Sequence, residues 1–186
     1  MQLIWTRSID SWQEDRLAFE GLVSEVIHLP CVSHISITPE IISNIKIDSL
    51  SLLIGLKATV IITSLRCAKY LCANKNLLKI IYNKKIVCVS SSAYIYLKKI
   101  NFIDSILLSS VYASSALAWL DHNLNKEDII ILPGPKIRAY DLYEKLKFYY
   151  KVIKVDIYKT ISHLHTPSLK NPNTKEILRL QKTLKG

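Results

Sequence analysis

At residues 128–160 three segments follow one another in an order that few sheets accommodate. An apolar run (IIILPG) leads into an amphipathic stretch (AYDLYEKLKFYY) and then a second apolar run ending Val155-Asp156-Ile157-Tyr158-Lys159-Thr160. Read as strand, helix and strand, the unit makes its two strands parallel, because a helical crossover returns the chain in its starting direction. Parallel strands are covered on both faces and therefore apolar throughout. Residues 58–64 meet that demand, since Thr-Val-Ile-Ile is β-branched at every position, and residues 85–89 supply another such run.

Around these strands the pattern predicts helices over 41–53, 65–78, 93–99 and from Ser114 or Ser115 to Asn123, with a short edge strand at 105–108. The opening residues 3–30 read as a smaller strand-helix-strand unit: strand 2–6, helix 11–20 capped by Ser8 or Asp10 and ended by Gly21, and strand 23–29 running to Pro30. Residues 31–39 mix Ser, His, Thr and Pro with alternating apolar residues and read as an extended linker. The expected class is α/β. It comprises a flavodoxin-like parallel sheet with helices on both faces, its crossovers right-handed, and an incomplete second α/β lobe formed by the opening unit. Expected boundaries are 1–35 for the partial first domain, 36–160 for the second, and 161–186 for a return linker and C-terminal helix at 174–184.

Ligands of open α/β sheets sit at the carboxyl ends of the strands, where loops leave the sheet and helix N-termini present free amides. That rule selects Thr6, Arg7, Thr63, Ser64, Ser90, Ser91, Ser92, Gly134, Tyr158 and Thr160, and Arg7, Arg66, Lys136 and Arg138 can add charge beside them. A Ser or Thr at such a junction is more often a helix cap than a ligand contact, so the convergence of five such loops carries the weight. Tyr158 can donate a proton at a strand end, or simply pack. The triple serine lacks the glycines of a phosphate loop, and no GxGxxG, GxxxxGK or GxSxG occurs. His163 and His165 have no third metal ligand nearby. Cys31, Cys67, Cys72 and Cys88 form no CxxC pair and read as reduced core thiols.

Twenty-five Lys and Arg against 15 Asp and Glu give a formal charge of +10, which suits a polyanionic partner or a solvated surface. Residues 136–185 hold twelve Lys and Arg against four acidic residues, yet no nucleic-acid motif and no aromatic interleaving after Tyr158. The 174–184 helix has an apolar face too narrow for a membrane surface. No basic-then-apolar leader opens the chain and no run of about 18 apolar residues occurs, so the expectation is a cytoplasmic protein binding neither nucleic acid nor membrane.

Taken together, Leu3-Ile4-Trp5-Thr6-Arg7, Ile61-Ile62-Thr63-Ser64, the strand and helix of 85–102, and the 130–160 return resemble the uroporphyrinogen-III synthase family. In that comparison Arg7 matches an arginine common in bacterial members, Thr63-Ser64 a Phe-Thr-Ser strand end, and Tyr158 to Thr160 a Val-Tyr-x-Thr return. Three departures accompany it: Ser90 and Ala93 stand where the family has the Gly and Thr of Val-Gly-x-x-Thr, Pro133-Gly134-Pro135 replaces a glycine-rich turn, and the chain stops where the family continues for another domain half.

The resemblance implies two α/β domains flanking a cleft and a cofactor-free lyase of heme biosynthesis. Its substrate would be hydroxymethylbilane, a polycarboxylate closed to uroporphyrinogen III with ring D inverted and water lost. Tyr158 would assist departure of the hydroxyl, and Thr63 and Ser64 would bind substrate side chains. With the chain stopping where it does, the resemblance implies reduced or no activity, and a monomer or a partner chain completing the cleft. The alternative is a non-catalytic α/β module that holds a tetrapyrrole or another polyanion.

Overall fold

The computed structural model describes residues 2–5, 8, 21–22, 25–28, 31–47, 49–102, 104–108, 113–138 and 142–162. The helices expected at 11–20 and 174–184, and His163 and His165, lie outside the described residues.

Two compact units make up the chain: Met1–Ile35 with Thr160–Gly186, and Ser36–Lys159. In the first, β1 (Gln2–Trp5) pairs in parallel with β2 (Glu25–His28), from Gln2 opposite Glu25 to Trp5 opposite His28. The strands β3 (Val32–Ser43), β4 (Ala58–Ile62), β5 (Lys85–Cys88), β6 (Ser105–Leu107), β7 (Ile129–Pro135) and β8 (Lys151–Ser162) form a six-stranded sheet in the order β3-β8-β7-β4-β5-β6. Its pairings from β8 through β7, β4 and β5 to β6 are all parallel.

The sheet is mixed rather than parallel throughout. Residues 31–39, expected as a linker, belong to β3, which runs antiparallel to β8: Asn44 meets Val152 at one end through paired bonds (Asn44 N–H to Val152 O, 3.3 Å; Val152 N–H to Asn44 Oδ1, 2.7 Å), and His34 meets Thr160 at the other. The alternation of apolar and polar residues there suits a sheet edge, and from Ser36 on the strand alternates between exposed and half-buried positions. β3 extends to Ser43, so the helix expected over 41–53 shrinks to α1 (Leu50–Gly55).

The helix expected over 65–78 is two helices, α2 (Leu65–Ala73) and α3 (Lys75–Ile81). Asn74 divides them because its side chain accepts from the Asn76 and Leu77 N–H groups and starts a new helix. α4 (Ser91–Lys99), α5 (Ala113–Asn123) and α6 (Leu142–Leu146) complete the set, α6 shorter than the amphipathic run around it.

Strand alternation sorts the core into two layers. Val60, Ile62, Ile86, Cys88, Ile131, Ile153 and Val155 pack against α1 to α4 on one face, and Ile61, Val87, Ile130, Leu132 and Val152 pack against α5 and α6 on the other. Both faces are covered, as a parallel sheet demands. All four cysteines are free thiols. No helix among the described residues is long and apolar enough to cross a membrane.

One polar contact fastens the second layer to the start of β8. Tyr150 is buried, and its hydroxyl donates to Asp121 Oδ1 at 2.7 Å. Burial, then the hydrogen bond and charge of Asp121, push its pKa up to about 12. The folded chain thus holds this proton more tightly than the unfolded one. The stability it gives is intact below the unfolded pKa of 10 and lost as pH rises through about 12. Tyr150→Phe is expected to cost about 1 kcal/mol at pH 8 and to flatten the alkaline limb of a denaturant-midpoint profile; an unchanged alkaline limb would assign that limb to other groups.

Candidate functional site

From β4 the chain lays β5 and β6 on one side, then crosses back to lay β7 and β8 on the other. The winding reverses between β4 and β7, and the carboxyl ends of strands at such a reversal are where open α/β sheets take their ligands. Thr63 and Ser64 follow β4, Ser90 follows β5, and Gly134 lies near the end of β7, so the second unit brings these residues to one edge of the sheet.

The hydroxyls there are partly committed. Ser64 accepts from the Cys67 N–H at 3.1 Å and so caps α2. Ser90 accepts from the Ala93 N–H at 3.4 Å, capping α4, and its hydroxyl lies 2.8 Å from that of Ser92. Ser91 and Ser92 are exposed, while Thr63 and Ser64 are half-buried. Both helices therefore point their first turns at this edge, where their partial positive charge favours anions.

Tyr158 reaches the same edge by a register shift. Gly134 pairs with Asp156 and Pro135 with Tyr158, so Ile157 is an extra residue on β8. Strict alternation would put Tyr158 on the face of Asp156; the bulge turns it to the opposite face. There it joins the core layer that holds Val155 and Ile157 and is only 4% exposed. Its ring stacks on Tyr70 of α2 with centroids 4.9 Å apart and planes 17° from parallel. Burial raises the phenol pKa above its ordinary value; Cys67 adds to the rise, while a hydrogen bond with Ser64 and the charges of Arg66 and Arg138 oppose it. Tyr158 is accordingly a protonated phenol at neutral pH. Cys67, its neighbour in that layer, donates its thiol to Pro133 O at 3.2 Å, and burial pushes its pKa up to about 12.

Arg138 lies across Gly134. Its Nε donates to Pro135 O at 3.1 Å, and Nη2 donates to Leu132 O at 3.1 Å and to Asp156 Oδ1 at 3.2 Å. A Cβ built on Gly134 would stand 3.1 to 3.3 Å from the guanidinium, so the absence of a side chain there is what lets the guanidinium lie flat on the strand. Asp156 is fully buried, and its other oxygen lacks a hydrogen bond, with Lys154 Nζ 3.7 Å away. Burial raises the Asp156 pKa; the Arg138 hydrogen bond and the Lys154 charge pull it back. Nearby, Lys136 bonds both oxygens of Glu40 on β3 at 2.8 and 2.9 Å.

Thr63, Ser64, Ser90, Ser91, Ser92, Gly134, Arg138 and Tyr158 all belong to the second unit. Thr160 belongs to the first, where its hydroxyl lies 3.0 Å from His34 Nδ1. Thr6 and Arg7 lie outside the described residues. Sequence reasoning overlooked Tyr70 and Asp156, and read Cys67 as a core thiol without placing it beside Tyr158. A carboxylate inside the apolar run 152–158 was the available signal, since a buried charge in a strand needs a partner.

A family model described as uroporphyrinogen-III synthase HemD matches residues 15–181. Among solved structures, a mutant uroporphyrinogen III synthase from the extremely thermophilic bacterium Thermus thermophilus is similar, with a TM-score of 0.62 at 12% sequence identity. The match covers 99% of this chain and 68% of that one. At that identity the likeness establishes a shared fold. No curated protein matches the chain.

Proposed function

The chain belongs to the uroporphyrinogen-III synthase family, an enzyme family of tetrapyrrole biosynthesis, and on that premise we propose that it cyclises hydroxymethylbilane to uroporphyrinogen III, with loss of water and inversion of ring D. The observation that carries the reading is the meeting of Thr63, Ser64, the Ser90 loop and Tyr158 at one edge of the sheet. Two helix N-termini and several hydroxyls there offer neutral donors to a substrate rich in carboxylates, and the formal charge of +10 favours its approach.

In the proposed reaction Tyr158 supplies the proton that accompanies the departing hydroxyl. A phenol with a raised pKa stays protonated until the leaving oxygen gains basicity, which is when general-acid help counts. Ser64 caps α2 through a lone pair and keeps its own proton to donate to the phenol oxygen, leaving the Tyr158 proton for the leaving group. Holding the reactive pyrrole ends in a folded arrangement then makes the inverted closure the nearest one. Arg138 supports this edge from beneath, clamping the β7–β8 bulge that sets Tyr158 in place.

A second reading, a module that holds a tetrapyrrole without converting it, draws on the burial of Tyr158 at 4% exposure. A coupled assay separates the two. Hydroxymethylbilane is generated in place and the products are oxidised and resolved as uroporphyrins I and III. Isomer III in excess over the enzyme-free control is expected; isomer I alone, with saturable binding of the product, would leave only the module.

A further inference from the structure

At the amino edge of the sheet, opposite the hydroxyl loops, a cavity of about 520 Å³ opens between the end of α1 and the turn from α3 into β5. Leu56, Leu78 and Tyr82 give it apolar walls, and Lys57, Lys79 and Lys84 line it without any carboxylate among the lining residues. Its size is that of pockets that take small organic ligands.

Lys84 is the unusual member. It is 6% exposed, and its ammonium donates to Leu56 O at 2.6 Å and Ile54 O at 3.1 Å, the carbonyls around the end of α1. An ammonium carries three donors, so one remains after these two bonds. Burying a cation without a counter-ion is costly, and no carboxylate among the described residues compensates this one: burial alone accounts for its lowered pKa. Lys57 and Lys79 are exposed and add charge of the same sign. A buried cation with a donor left over, an apolar wall and no acid in the lining together describe a receptor for an anion with an apolar body.

We propose that this cavity binds a small organic carboxylate, its anionic end at Lys84 and its apolar body along Leu56, Leu78 and Tyr82. The site is separate from the hydroxyl loops and stands whether or not the chain is a synthase.

The test uses the full chain and 2-naphthoate, a rigid apolar carboxylate, with 2-naphthamide as its uncharged counterpart. Amide resonances of Gly55 and Asn83 report on the cavity, which both residues line. Naphthoate is expected to shift them to saturation by about 1 mM, and naphthamide to bind at least tenfold more weakly. A Cβ on Gly55 meets nothing within 4 Å, so Gly55→Phe should fold, fill the cavity and abolish the shift of Asn83, the reporter that this variant keeps. Lys57→Gln with Lys79→Gln, both at exposed positions, should weaken naphthoate a few-fold and leave naphthamide unchanged. Equal affinity for the two compounds, saturation unaffected by Gly55→Phe, or no saturable shift at these residues would overturn the proposal.

Discussion

Replacing Arg138 by methionine is expected to destabilise the second unit by about 3 kcal/mol at pH 7, the lower end of what removing one partner of a buried ion pair costs. The guanidinium ties two carbonyls around Gly134 to Asp156, and Asp156 is 1% exposed with one oxygen already lacking a hydrogen bond. Methionine fills the space of the stem but leaves that carboxylate with only Lys154, 3.7 Å away, which is why the lower end applies. The effect should depend on pH. The folded-state pKa of Asp156 already lies above the unfolded 3.8, and the Arg138 hydrogen bond is the first of the influences pulling it down; its loss raises the folded value further. A group raised in this way contributes its stability in full below 3.8 and loses it as pH rises through the folded value. The deficit of the variant should therefore be largest at pH 7 and shrink towards pH 4. Urea midpoints at the two pH values measure it. An equal deficit at both would assign the loss to packing and not to the stranded carboxylate.

Tyr158→Phe is expected to lower the rate of isomer III formation by about a hundredfold, the lower end of what a positioned general acid contributes, while moving the unfolding midpoint little. The ring that stacks on Tyr70 is kept, and only the hydroxyl shared with Ser64 is removed. Single-turnover rates with hydroxymethylbilane generated in place, set beside urea midpoints, separate chemistry from folding. An isomer III rate equal to that of the unaltered chain would remove Tyr158 from the reaction and leave it as a core side chain.

Local signals carried the α/β class, both strand-rich segments of the second unit and the capping serines. A β-branched run such as 59–62 has one stable use, a covered strand, and Ser64 and Ser90 bond amides three residues ahead. What escaped depends on distant partners. β3 is a strand because β8, more than a hundred residues later, offers it an edge, so its alternation alone was equally consistent with a linker. Asn74 splits a continuous helical pattern through a two-bond cap that competes with helix propagation. At the site, the Arg138–Asp156 pair joins the loop after β7 to β8, and no local signal announces a partner 18 residues away. The face of Tyr158 turns on a single extra residue in β8, which no period-two reading registers.

The chain leaves its first unit after Ile35 and re-enters it at Thr160, and the His34–Thr160 bond puts those two passages side by side. To the outer unit, the folded Ser36–Lys159 segment is a staple. Closing an unstructured loop of ~120 residues costs about 3–4 kcal/mol more in chain entropy than closing a hairpin-sized one. Once the inner unit has folded, that penalty is already discharged, because the passages at His34 and Thr160 are held side by side. Assembly should thus run from the inside out, with the inner sheet acting as the nucleus that holds the outer segments at high effective concentration.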